Sequence, residues 1–404
     1  MALARKALEG LIDPQTRRGQ EGTWLLYPFH EDLLWYDARK SAGPGGKRWG
    51  VRKVYMRGSG IKLARLLLDP PADDRTRRLG TAAVLALRAA LREGSQMANI
   101  ARHLERPIDL SGDGLAPQDD ERDAWVDGGA AQLGPLGEDL CAHVEGVMNQ
   151  PRTGSTARLW AFRNILAIDL AVHALRTAWE TTATPSRNRY LLLSVGGPER
   201  AANFVRQRSE ASYQRARMRI QEGIIAALAA KMRALGADGA PKVDWNAEFE
   251  LRSKLDERAR ELGAVTVEAQ YTDIARAIFG EANYGRPVDG FRVLLESVGM
   301  LQGTGSYRYL TVSPDILAAF VGALSAGMPM TSREFFLKLY QGWGIVLSAE
   351  AAAQTDLLGQ LDGSELARNA RRAERLLVDA GLAVSLSDST TVVGERFRRT
   401  DVGI

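Results

Sequence analysis

Two nine-residue stretches in the C-terminal half constrain the fold more than any other feature. Residues 294–302, Leu-Leu-Glu-Ser-Val-Gly-Met-Leu-Gln, and 376–384, Leu-Leu-Val-Asp-Ala-Gly-Leu-Ala-Val, align without a gap 82 residues apart. In each, an amphipathic helix ends at a glycine, Gly299 or Gly381, suited to the left-handed position just past a helix C-terminus. The segment after each glycine reads as a β-hairpin. The first pairs 300–302 with 307–312 across 303–306, and the second pairs 382–386 with 390–393 across 387–389. Shorter helices are expected before each copy, at 271–279 for the first and at 332–340 and 348–358 for the second. Short helix, longer helix, hairpin therefore occurs twice, with a second short helix in the later copy, and internal repetition of this kind defines architecture before any single motif does.

Length sets the frame for the rest of the chain. With 404 residues, two or three domains are expected, and 45% hydrophobic with 25% charged residues is an ordinary globular composition. Seven aromatics crowd the stretch from Trp24 to Tyr55, which predicts a small packed unit with a cationic strand beginning at Lys47 after a Gly-Pro-Gly-Gly turn. A helix is expected over 81–105 and a buried one from Ser155 to about Trp179, with Leu159, Phe162, Ile165, Leu166, Val172 and Leu175 around its circumference. Tyr190-Leu-Leu-Leu-Ser-Val reads as a strand entering Gly196-Gly-Pro. A long helix then spans 209–235, its stripe being Tyr213, Ile220, Ile224, Leu228, Met232 and Leu235.

Charge is distributed in blocks. Residues 1–110 carry 20 basic and 12 acidic groups, 111–150 carry 1 and 9, 151–235 carry 14 and 5, and 236–404 carry 18 and 23. The acidic block with its glycines and prolines reads as a solvated loop or linker. Arg208, Arg215 and Arg219 make the long helix the densest cationic one, either a solvated face or a phosphate-binding surface.

The repeated pattern, together with Ser-Asp-Ser at 387–389 on the second hairpin tip, resembles two winged-helix domains in tandem, over 244–330 and 331–404. In winged-helix proteins the third helix commonly enters the DNA major groove and the wing touches backbone. That resemblance places Arg368, Asn369, Arg371, Arg372 and Arg375 of the second copy on DNA, because these lie largely off the expected buried stripe of Leu366, Ala370, Ala373 and Leu377. The first copy offers Arg286, Arg292 and Arg308, with Glu296 on the same helix. A winged helix that packs against protein is the competing reading for it.

The expected fold class is α+β, predominantly α-helical. An N-terminal α+β region (1–110) with a small aromatic-rich β element leads into an acidic linker (111–150), a helical region (151–243) and two winged helices. One cysteine, Cys141, leaves no intramolecular disulfide, and four histidines leave no Cys/His zinc cluster, so no metal and no cofactor is expected. The first residues carry no apolar signal core, which with the lone cysteine implies a cytoplasmic protein without membrane attachment.

Catalytic patterns are missing. Gly46-Lys47 lacks the earlier glycine of a phosphate loop and is followed by Arg48, and there is no Gly-x-Ser-x-Gly elbow, His-Glu-x-x-His helix or dinucleotide-binding glycine motif. The chain is therefore expected to be a non-enzymatic DNA-binding or assembly subunit, resembling accessory subunits of bacterial DNA-processing or antiphage-defence systems. Double-stranded DNA and an ATPase, nuclease or methyltransferase are its expected partners. Two other readings stand beside it: a tandem winged-helix interaction module that clasps an ATPase without binding DNA, and an enzyme using Asp169 and His173, one helical turn apart. For that pair the expectation is structural, each residue partnered by the other or by Arg176.

Overall fold

A computed structural model describes residues 37–43, 46–52, 135–148, 150, 155–196, 200–236, 268–279, 286–325, 328–387 and 390–394. These are mostly helical with a few short strands, an α+β composition dominated by helix. The chain divides into two compact units, Met1–Phe162 and Arg163–Ile404. No helix among the described residues is long and apolar enough to cross a membrane.

In the first unit, strands β1 (Asp37–Gly43) and β2 (Gly46–Arg52) form an antiparallel hairpin in which Lys40 stands opposite Trp49 and Ser41 opposite Arg48. The cationic strand expected from Lys47 is thus paired through Arg52. The helix expected at 81–105 lies outside the described residues. Helix α1 (Pro135–Met148) corrects the reading of 111–150 as loop throughout. Pro135 opens it, where a missing N–H costs nothing, and Leu140, Val144 and Val147 recur at helical spacing and are fully buried. The local excess of acid and glycine before residue 135 masks that periodicity in the sequence. The beginning of α2 (Ser155–Thr181) belongs to this unit, and Arg158 donates to the Gln150 carbonyl at 2.5 Å.

The second unit is organised around α3 (Arg200–Gly236), which starts nine residues before the expected position 209. Val205, Ser209, Ser212, Tyr213, Ala216 and Ile220 form its buried face, and farther along Ile225 and Ala229 are buried while Ile224 and Leu228 are half-buried. Against α3 pack α4 (Glu268–Phe279), α5 (Arg286–Ser297), strand β3 (Leu191–Leu192) and β5 (Tyr309–Leu310), the last paired with β4 (Leu301–Gln302). Ser209 anchors this junction, its hydroxyl donating to the Leu310 carbonyl and accepting from the Leu310 N–H, both at 2.8 Å.

The second copy follows in the order α6 (Pro314–Ser325), β6 (Met330–Thr331), α7 (Ser332–Trp343), β7 (Ile345–Val346), α8 (Ala349–Ala352), α9 (Gly363–Asp379), β8 (Ala383–Ser387) and β9 (Thr390–Val393). A three-stranded sheet has the order β6-β9-β8. Helix α6 lies within the span assigned to the first copy, yet it packs on α7 and α9 of the second. Its Ile316, Leu317, Phe320 and Val321 are all buried, and a helix apolar on this scale needs partners on several sides. Of the expected helix at 348–358, only α8 and a 3₁₀ turn at Leu357–Gly359 form.

The sequence repeat reappears hydrogen bond by hydrogen bond. Gly299 and Gly381 both have left-handed backbones, with φ of 76° and 69°. Met300 N–H donates to Leu295 O at 2.9 Å and Leu382 N–H to Leu377 O at 2.8 Å, while Gly299 donates to Glu296 and Gly381 to Val378. Both helices thus end by the same turn, which satisfies their last carbonyls and aims the chain into a hairpin.

One further pairing joins the copies. Leu191 and Leu192 run parallel to Ile345 and Val346, and the same segment continues to a parallel bridge between Ser194 and Thr311. The segment 191–195 therefore contacts the hairpin of the first copy and strand β7 of the second. Around it gather Tyr190, Leu192, Val205, Val346, Ala351, Ala352, Leu357, Leu361 and Leu366 as one apolar cluster.

Candidate nucleic-acid interface

Helix α9 is held at three levels. Asp362 caps its start, the carboxylate accepting from Ser364 N–H at 2.8 Å. Ser332, the first residue of α7, donates its hydroxyl to Glu374 at 2.5 Å. Deepest is Asn369, which is fully buried: its Oδ1 accepts from Val195 N–H at 2.8 Å, and its Nδ2 donates to Leu193 O at 2.9 Å and Leu347 O at 3.2 Å. The side chain thus supplies α9 with hydrogen bonds to both partners of the β3–β7 junction.

That arrangement sets the rotation of the helix. Its buried stripe is Leu366, Asn369, Ala373 and Leu377, whereas the sequence pattern puts Ala370 where Asn369 lies. At 3.6 residues per turn, Arg368, Arg371 and Arg375 then share the opposite face, three and four positions apart. All three are exposed, and none makes a hydrogen bond or ion pair to a described residue. Arg372 stands on the flank, half-buried and already engaged. Asn369 leaves the set of candidate DNA contacts, since its amide is occupied by backbone and shielded from solvent.

Of the cations expected elsewhere, Arg219 and Arg292 are paired with carboxylates and Arg215 with an aromatic ring. Arg215 lies over the Tyr190 ring, 4.8 Å from its centroid, and donates to its hydroxyl at 2.5 Å. Burial pushes the Tyr190 phenol above its ordinary pKa, with the Arg215 hydrogen bond opposing the shift. Arg219 is paired with Glu222 at 2.6 Å, and Arg292 bonds Glu296 at 3.0 Å and approaches Asp289 at 3.7 Å. On α3, Arg208 is exposed and has no partner among the described residues. Arg286 begins α5, but its side chain lies outside the described set. Arg333 carries no sequence signal because it stands apart from the other arginines. It is exposed beside Ser332, whose bond to Glu374 brings the start of α7 to α9.

Asp169 and His173 do not form an acid/base pair. Asp169 is buried and accepts the indole N–H of Trp343 at 2.5 Å, and the Trp343 ring packs on Phe320 at 4.9 Å. Arg176 donates to the Gly342 carbonyl. The expected structural role gave each residue the other or Arg176 as partner; Asp169 takes Trp343 as well, and together with Arg176 it lets α2 grip the end of α7. His173 is held below its ordinary pKa by burial and by Arg176, with Glu180 acting the other way. Among the described residues no group of three or more His, Cys, Asp and Glu side chains is placed to hold a metal ion.

No protein-family model, curated protein or solved structure matches the chain. The functional reading therefore depends on the geometry of α9 and its surroundings.

Proposed function

We propose that the chain is a non-enzymatic subunit that binds duplex DNA through the second of two winged helices and assembles with a catalytic partner of a DNA-processing or defence system. The observation that carries this is the exposed row Arg368, Arg371 and Arg375 on one face of α9, which has no partner among the described residues. Although Glu365, Glu374 and Asp379 lie on the same helix, none of them is bonded to these guanidiniums, whose donors stay open to phosphate oxygens and to the paired acceptors of guanine. Further support comes from the order α6, β6, α7, α9 and the β8–β9 hairpin with its β6-β9-β8 sheet, which is the order a winged helix would need. In this reading groove contact is left to the second copy, since Arg292 and Arg308 of the first share one carboxylate, Glu296.

A second reading, in which this surface clasps a partner ATPase, is favoured by Val378 on α9 and Leu386 on β8, apolar side chains left 37% and 60% exposed. Titration of a fluorescent duplex at several salt concentrations separates the two. DNA contact predicts that Arg368→Ala, Arg371→Ala and Arg375→Ala together weaken binding and flatten the log–log salt slope by roughly 0.9 per lost phosphate contact. An unchanged slope in the triple variant refutes DNA contact by α9, and loss of partner capture in Leu386→Ser would then support the second reading.

A further inference from the structure

A second cluster of cations lies away from α9, where α3 meets α5 and the connection between β4 and β5. Tyr213 and Arg217 are one turn apart on α3. The Tyr213 ring stacks on Phe291 of α5 with centroids 6.1 Å apart and planes 11° from parallel. Glu296 of α5 receives Arg292 at 3.0 Å on one oxygen and stands 3.1 Å from Arg308 Nε on the other. One carboxylate therefore holds two guanidiniums side by side, and Arg308 also donates from Nη1 to Gly305 O at 3.3 Å.

Three donors here have no hydrogen-bond acceptor among the described residues: the Tyr213 hydroxyl, Arg217 Nε and Arg308 Nε, the last close to Glu296 but misaligned for a bond. Tyr213 is fully buried, whereas Arg292, Arg308 and Glu296 remain 30%, 23% and 31% exposed at the side chain. A buried hydroxyl without a partner thus neighbours arginine side chains that solvent still reaches. Buried polar groups are almost always satisfied, and what these three lack is an acceptor with several oxygens.

We propose that Tyr213, Arg217, Arg292 and Arg308 form a binding site for a phosphate-class oxyanion. A tetrahedral anion offers oxygens to more donors than a planar carboxylate can serve, and its charge offsets three cations balanced locally by Glu296 and the more distant Asp289. The phenol suits a donor's role: burial raises its pKa, so it keeps its proton, although Arg217, Arg308 and Arg292 pull in the other direction. The assignment is independent of DNA binding by α9. The oxyanion's source is either a small phosphate compound or a nucleic-acid backbone.

The test is calorimetric titration and thermal melting of the full chain with sodium phosphate, against chloride and acetate at matched ionic strength. Phosphate should raise the melting temperature in proportion to the logarithm of its concentration once in excess, beyond either control. Tyr213→Phe keeps the stacked ring and deletes only the unused hydroxyl, so it should fold normally without phosphate and bind it about tenfold more weakly. Arg217→Gln should do the same, while the triple alanine variant of α9 should bind phosphate as the native chain does. Competition by a short duplex in a Tyr213-dependent manner assigns the anion to nucleic acid, and absence of competition assigns it to a small phosphate; either result upholds the site. Stabilisation no greater than with chloride, equal effect of acetate, or unaltered affinity in both Tyr213→Phe and Arg217→Gln overturns the proposal and leaves water as the acceptor.

Discussion

Replacing Asn369 by alanine separates a structural amide from a DNA contact. The substitution strips Val195 N–H of its 2.8 Å acceptor and withdraws a donor from both Leu193 O and Leu347 O, all in a region closed to solvent. A buried group left unsatisfied costs about 1–3 kcal/mol. The orphaned N–H bears that cost in full, while the carbonyls retain other ways to relax, so a total of about 2–4 kcal/mol is expected. For a cooperative unit of this size, with roughly 2–4 °C per kcal/mol, the melting temperature should drop by about 4–16 °C. Urea unfolding should show a lower midpoint with the same slope. Duplex affinity per folded molecule, measured well below the melting range, should remain that of the native chain. Native-like stability together with weakened duplex binding would refute this reasoning and restore Asn369 as a base or phosphate contact. Asn369→Asp is a useful companion: it keeps an acceptor for Val195 but sets a carboxylate against two carbonyls, and it should be at least as damaging as alanine.

The same packing governs three other substitutions or titrations. Trp343→Phe removes the indole donor from buried Asp169 and should cost about 1.5–3 kcal/mol in denaturant unfolding, leaving duplex binding by folded protein intact. Because burial and Arg176 depress the His173 pKa, the unfolded chain takes up a proton before the folded one does. Stability from this residue should therefore be constant above about pH 6.5 and fall as the pH drops below it, by no more than ~1.4 kcal/mol per pH unit, and His173→Gln should flatten that decline. Gly299→Ala and Gly381→Ala meet open space at the added methyl group, so each should cost only the left-handed backbone strain of roughly 1–2 kcal/mol, equal within error by thermal melts.

Features settled within a few residues can be read from the chain directly. The helix ends at Gly299 and Gly381, the two hairpins and the long α3 all arise from local backbone preference and side-chain periodicity, and each is legible without a tertiary partner. The site is legible only in part. The arginine row of α9 can be named from sequence, but whether Asn369 or Ala370 faces inward depends on a rotation of the helix. Only the waiting N–H of Val195 and the carbonyls of Leu193 and Leu347, far away in sequence, decide that rotation. Likewise β6 and β7 are two-residue strands with no alternation to read, and they exist because β9 and β3 present unpaired backbone edges to them. Cation availability is equally hidden, since Arg215 is engaged by Tyr190 and Arg308 by Glu296 across gaps no helical spacing encodes. Local geometry is specified by steric preference along the chain, whereas burial and pairing are specified by which distant polar groups must be satisfied once water is excluded.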